Sequence, residues 1–169
     1  MPLRFAHPSD APSLAAISVE VWLGTYIRRG VSPFFANYAL SEFTAEKMAA
    51  HIAGAEETFI VSDNEDGPDG FIRLTTGKTA PVPGCSDHEI TTLYVQPRHH
   101  GKGIGRALLE AGLDQARVAG SPSVWLTTNS ENTPAIGFYL AYGFEKVGET
   151  HFRIEDQAYL NDVYRYDLT

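Results

Sequence analysis

The chain is 169 residues long, 43% hydrophobic and 20% charged, which suits one folded domain with its own core and excludes a disordered chain. Thirteen basic side chains against 21 acidic ones leave a net charge of −8, the wrong sign for a nucleic-acid partner. The single cysteine, Cys85, excludes an internal disulfide. With no apolar leader in residues 1–10 and no run of 18 apolar residues, the expectation is a cytoplasmic protein with no membrane partner.

Leu3 to Ala6 reads as a short opening strand. Pro8-Ser9-Asp10 then caps a helix from about Ala11 to Leu23, in which Leu14, Ile17 and Val21 recur at helical spacing. Gly24 to Ser41 holds Tyr26, Phe34, Phe35 and Tyr38 beside Gly30 and Pro33, and reads as a loop with a short helix. Thr44 caps a helix to about Ala53, stopped by Gly54. Thr58 to Ser62 and Phe71 to Thr75 form a hairpin around a turn-rich stretch from Asp63 to Gly70. Gly77 to Asp87 is a loop, Glu89 to Val95 a strand ended by Pro97, and Gly101-Lys102-Gly103-Ile104-Gly105 opens a helix that Gly120 stops. Ser123 to Thr127 is a strand. Asn132-Thr133-Pro134 caps a short helix closed by Gly143-Phe144, and two strands follow near Lys146 to Phe152 and Asp162 to Leu168. The order, roughly β-α-α-β-β-β-α-β-α-β-β, gives a mixed sheet with helices on its faces.

The chemistry concentrates where the strand ending at Val95 runs through the glycine turn into a helix. The first N–H groups of a helix have no partner inside it, and together with the helix dipole they favour phosphate. Gly101, Gly103 and Gly105 permit close approach to the backbone, and Lys102 and Arg106 add positive charge. The turn suits a ligand bearing two or three phosphates. It lacks the Gly-x-x-x-x-Gly-Lys-Ser/Thr pattern of nucleoside triphosphate loops and the Gly-x-Gly-x-x-Gly spacing of dinucleotide sites. By composition alone it also serves as a plain strand-to-helix connection.

Arg98-x-x-Gly101-x-Gly103 resembles the Gln/Arg-x-x-Gly-x-Gly/Ala signature of the GNAT N-acetyltransferases, and Leu93-Tyr94-Val95-x-Pro97 is similar to that family's central strand. A second block follows in the family's order: Asn132-x-Pro134-Ala135-Ile136-Gly137-Phe138-Tyr139 and then Gly143-Phe144. The likeness is most specific from Glu89 to Phe144. It implies an α/β fold with a mixed, mostly antiparallel central sheet of about seven strands, helices on both faces and a splayed central strand pair. It also implies one acetyltransferase domain spanning the chain. The co-substrate would be acetyl-CoA, its pyrophosphate held by the backbone from Gly101 through Lys102, Gly103, Ile104 and Gly105 to Arg106, beside Arg98. Leu93, Tyr94 and Val95 would meet the pantetheine through the backbone, and an N–H near Val95 would polarise the acetyl carbonyl. Asn132 would contact CoA, and it also reads as a plain helix cap.

In such enzymes a neutral amine attacks the thioester, so one base and one acid are needed. Tyr139 matches the family's general acid. Glu89, four residues before Leu93 and on its face at period two, matches the position of a glutamate base in some members; His88 and His151 are alternatives. His99 and His100 flank the phosphate turn. The pattern predicts no metal, since no cluster has zinc-like spacing. The implied partner is a small-molecule amine acceptor, polyamine or amino-acid-like, with Trp22, Tyr26, Phe34, Phe35, Tyr38, Phe152 and Tyr159 near the acceptor groove, although most of these also read as core. A protein or peptide acceptor, or a CoA-binding module without activity, stays open, and the resemblance leaves room for a homodimer.

Overall fold

The computed structural model describes residues 2–169. Its elements run β1 (Leu3–Phe5), α1 (Ala11–Tyr26), α2 (Pro33–Glu42), α3 (Ala45–Ile52), β2 (Glu57–Asn64), β3 (Gly67–Thr75), β4 (Glu89–Val95), α4 (Ile104–Val118), β5 (Ser123–Asn129), α5 (Thr133–Tyr142), β6 (Glu145–Ile154) and β7 (Gln157–Asp167). Short 3-10 turns lie at Pro8–Asp10 and Pro97–His99. The strands follow the order β1-β2-β3-β4-β5-β7-β6. β4 and β5 pair in parallel, whereas β1 with β2, β5 with β7 and β6 with β7 run antiparallel. This is the expected mixed, mostly antiparallel sheet of seven strands. No helix among the described residues is long and apolar enough to cross a membrane.

Four local expectations shift. α1 runs past Leu23 to Tyr26. The aromatic stretch expected as a loop with a short helix holds the ten-residue α2, because Ser32 Oγ accepts from the Phe35 N–H at 3.4 Å and Pro33 sits in the first turn. The turn between β2 and β3 contracts to Glu65-Asp66, so both strands extend into the polar segment. The last two strands were expected to stop well short of each other; instead they meet at Glu155-Asp156, where Glu155 takes a φ of 53°.

The chain divides into two compact units. The first takes in the residues up to Leu74 together with Thr92–Gly112. Its core gathers Leu14, Ile17, Met48, Phe59, Val61 and Phe71, with Tyr94 packed against it. Side chains alternate along β3: Phe71 joins this core, while Ile72 and Leu74 turn to α4. Gly112 lets α4 come close there, since a Cβ on it would stand 2.7 Å from Ile72 Cδ1. Helices thus cover both faces of β3. The start of the chain is latched by Arg4, whose guanidinium donates to Asp10 at 2.8 and 2.9 Å and to Asp63 at 2.6 and 3.2 Å. Asp10 is buried and also accepts from the His7 N–H at 2.7 Å.

The second unit takes in Thr75–Thr91 and Leu113–Thr169. Val124, Leu126, Val163 and Tyr164 are buried in its sheet. α5 packs through Tyr139 on Phe144, and Phe144 on Tyr166, with ring centroids 5.4 and 5.1 Å apart. Neighbouring positions of β7 point the other way and meet the 77–87 loop: Val82 abuts Gly148, the partner of Val163, and Arg165 Nη1 donates to the Gly84 carbonyl at 2.9 Å.

Hydrogen bonds from Arg4 hold the Asp10 carboxyl below the usual carboxylate range, against the opposing effect of burial. A depressed folded-state pKa contributes stability above the unfolded value and loses it as pH falls through the folded one. Asp10→Asn is therefore expected to cost about 1.5–3 kcal/mol at neutral pH. Urea titrations of the two proteins should draw together below about pH 4.

Candidate active site

In the first unit, β4 delivers the chain to the glycine turn. Val95, the last residue of the strand, is buried, and Val95 and Leu108 of α4 both border Gly70 of β3. Thr92 and Tyr94 point to the opposite face, Thr92 towards Ser18 and His51, Tyr94 edge-on to Phe71 at 6.0 Å. The period-two pattern expected for β4 thus holds at its end, and Tyr94 gives its side chain to the core. Leu93 is half-buried between them.

Beyond Val95 the backbone folds back on itself. The His100 Nε2–H donates to the Val95 carbonyl at 3.0 Å, which hooks the turn onto the strand end and fixes the tautomer, since a carbonyl only accepts. Gly101 and Gly103 take φ values of 81° and 83°, the left-handed region where a side chain is strained. The ladder of α4 begins with Ala107 N–H to Gly103 O at 3.0 Å. The N–H groups of Ile104, Gly105 and Arg106 therefore precede it and lie at the positive end of the helix dipole. Gly101, Lys102, Gly103 and Arg106 are exposed there, as is Arg98 one turn earlier. Lys102 Nζ donates to His99 Nδ1 at 3.2 Å, and Arg106 pairs with Glu110 at 3.0 Å. The arrangement is a cradle for an anion with several oxygens: backbone donors at its centre, exposed cations at its rim.

In the second unit, Glu89 opens β4 opposite Trp125 of β5, and the Trp125 N–H donates to the His88 carbonyl at 3.2 Å. Tyr139 sits in the middle of α5, 8% exposed, edge-on to Phe138 and Phe144 at 5.3 and 5.4 Å. Burial pushes its phenol well above the ordinary value, so it keeps its proton throughout the neutral range. Asn132 Oδ1 accepts from the Ala135 N–H at 3.3 Å, so its capping role is realised, and Gly143 ends the helix at a φ of 121°.

The alternatives separate by environment. His88 is buried and burial lowers its pKa, favouring the neutral imidazole, whereas His151 is exposed on β6. Burial raises the Cys85 thiol, which fits an ordinary loop cysteine. Trp22 is buried and stacks on Tyr26 and Tyr38 at 4.7 and 4.8 Å, so much of the aromatic stretch holds α1 to α2. A cavity of about 40 Å³ lies among Ser18, Glu42, His51, Arg73 and Thr92. It has room for only about two or three waters, too little for a substrate.

Two features went unseen in the sequence. Ser86, Ser121 and Ser123 form a hydroxyl network at the entrance to β4, although they are scattered over the sequence. Asn161, in the stretch expected as a connection, is a buried strand residue beside Asn129 and Thr150, and its Oδ1 has no hydrogen-bond partner among the described residues. Two residues away on the same face, Tyr159 stands opposite Phe152. Nothing in the sequence of β7, which also carries Gln157, Asp162, Arg165 and Asp167, marks Asn161 beforehand.

The model of the acetyltransferase (GNAT) family matches residues 25–144, most of the chain and the span that holds the strand, turn and both helices just described. Over 87 residues the chain is 37% identical to the uncharacterized protein ML0378 of Mycobacterium leprae, a match that takes in 52% of this chain and 22% of that protein. It is 28% identical over 159 residues to a streptothricin acetyltransferase of Streptomyces lavendulae, across 86% of this chain and 82% of that one. Its fold superposes on the crystal structure of the PaiA N-acetyltransferase of Thermoplasma acidophilum, solved with coenzyme A, with a TM-score of 0.75 over 98% of this chain and all of that one, at 19% identity. The signatures on β4, the glycine turn and α5 and the family match coincide: this chain belongs to the GNAT family of acetyltransferases.

Proposed function

We propose that this chain, acting as one catalytic domain, transfers the acetyl group of acetyl-CoA to a primary amine of a small molecule. The observation that carries the reading is the turn from Gly101 to Arg106, with two glycines at positive φ and three backbone donors ahead of the α4 ladder. It fits a pyrophosphate by its donors, its dipole and its rim cations Arg98, Lys102 and Arg106. Leu93, Tyr94 and Val95 would hold the pantetheine through their backbone, since Tyr94 spends its ring on the core. Asn132 would add a CoA contact beside its cap. The thioester supplies an acyl group whose carbonyl gains negative charge on attack; a backbone N–H near Val95 would meet that charge.

Two side chains move the protons. Glu89 takes the proton that an acceptor ammonium must lose before it attacks. Tyr139 gives its proton to the departing thiolate, a role that suits a phenol kept protonated by burial. On the acceptor side, Phe152 and Tyr159 stand opposite each other on β6 and β7, aromatic side chains of the kind that suits a cationic amine. A relative named for acetylating streptothricin is consistent with an amine-bearing small molecule.

The acceptor class is tested by following thiol release from acetyl-CoA against spermidine, free lysine and a short peptide. Turnover with a small amine, at least about tenfold above the peptide, is expected; the reverse order would assign a protein acceptor. Tyr139→Phe should lower kcat about a hundredfold. Its acetyl-CoA affinity by calorimetry should stay unchanged, whereas loss of affinity at unchanged kcat would remove the acid role. Glu89→Gln should lose most turnover at low pH, where the amine is mainly protonated, and a loss that is flat with pH would exclude Glu89 as the base.

A further inference from the structure

The chain enters β4 from a loop without regular structure, Gly77 to Asp87, that contains Pro81, Pro83 and Gly84. Its last residues are bolted to the start of β5. Ser86 Oγ donates to the Ser123 carbonyl at 2.6 Å and accepts from the His88 N–H at 3.2 Å. The Ser86 N–H donates to Ser123 Oγ at 3.3 Å. Ser121 Oγ also donates to the Ser123 carbonyl, at 2.7 Å, and lies 3.4 Å from Ser86 Oγ. The next rung is the Trp125 N–H to the His88 carbonyl at 3.2 Å, and the next register pair is Glu89 with Trp125. The serine hydroxyls therefore continue the β4–β5 ladder backwards past the point where the backbone alone supports it. Ser123, His88 and Trp125 are 6%, 6% and 3% exposed, so the groups that the half-buried Ser86 and Ser121 bond to are shielded from water.

We infer that Ser86 is a positioning residue for acetyl transfer: its hydroxyl fixes His88 against β5 and thereby sets where the Glu89 carboxylate stands. The inference rests on the reading of Glu89 as the base. Ser86 touches no reacting atom in this account. It acts on the backbone N–H of His88, the residue immediately before Glu89. A base displaced by a fraction of an ångström to an ångström loses much of its advantage, because catalysis depends on the near-attack position.

The test is a double-mutant cycle in the full chain, with an accepted amine and saturating acetyl-CoA, on wild type, Ser86→Ala, Glu89→Gln and the double variant. Ser86→Ala is expected to lower kcat about tenfold with the KM for acetyl-CoA unchanged, and to lower it no further in the Glu89→Gln background. Ser86→Thr, which keeps the hydroxyl, should restore most of the loss. An equal Ser86→Ala loss with and without Glu89 would overturn the inference, as would full turnover in Ser86→Ala. Full turnover of Glu89→Gln at every pH would instead remove the base reading on which the inference stands. Thermal midpoints accompany each variant. Should Ser86→Ala fail to fold, Ser86→Cys replaces the hydroxyl by a thiol that hydrogen-bonds more weakly to His88 and Ser123. A kcat loss there that vanishes in Glu89→Gln supports positioning; full turnover, or a loss that persists, refutes it.

Discussion

A helix cannot satisfy its own first N–H groups, and in this protein that surplus is placed where the sheet hands the chain to α4. The surrounding geometry serves it. His100 hooks the turn onto the Val95 carbonyl, Gly101 and Gly103 accept a left-handed backbone, and Gly112 allows α4 to sit close against Ile72 and Leu74. The buried faces of β3 and α4 fix the direction of the helix axis, and with it the direction of its dipole. Arg98, Lys102 and Arg106 then add charge to donors already in place, so the exposed cations tune the site while the backbone defines it.

The proposed chemistry asks opposite things of two groups in the second unit, and their surroundings differ accordingly. Tyr139 lies in an aromatic packet with Phe138 and Phe144, where ionisation is penalised and the phenol stays a proton donor. Glu89 opens a strand and is only half-buried, at a position fixed by β5 through Trp125 and by the serine network before it. Burial keeps the Tyr139 phenol in its protonated form, and a carboxylate base depends on its placement for its reach.

Much of the architecture was readable from periodicity and punctuation. α4 announces itself through Leu108, Leu109 and Leu113 between a glycine turn and Gly120, and α5 through Asn132-Thr133-Pro134 and Gly143, each with a local physical cause. Gly30 and Pro33 punctuate the aromatic stretch and suggest a loop with a short helix, whereas Ser32-Pro33 starts the ten-residue α2. The β6–β7 turn carries no glycine or asparagine; Glu155 takes a positive φ that its sequence does not advertise. Asp162 reads as a strand beginning and Asn161 as the end of a connection, yet both residues are buried within β7 and paired with β5 and β6. The glycine turn is legible because a short motif records local backbone geometry, whereas Tyr139 and Glu89 are singled out by the family resemblance. The serine network and Asn161 are legible in neither way, because they depend on side chains brought together by tertiary pairing from Ser86, Ser121 and Ser123.

The central claim is that the Gly101–Arg106 turn binds the pyrophosphate of acetyl-CoA. Thermal unfolding of wild type and Gly103→Val, each with and without saturating acetyl-CoA and with ATP as control, tests it most directly. At about a hundred times its dissociation constant the ligand should stabilise wild type by roughly 2.7 kcal/mol. For a chain of this size that is a rise of about 5–10 °C. That rise is expected for wild type with acetyl-CoA, with little from ATP, and a shift of less than about 2 °C from its own midpoint for Gly103→Val. An equal shift in Gly103→Val, or none in folded wild type, would contradict it.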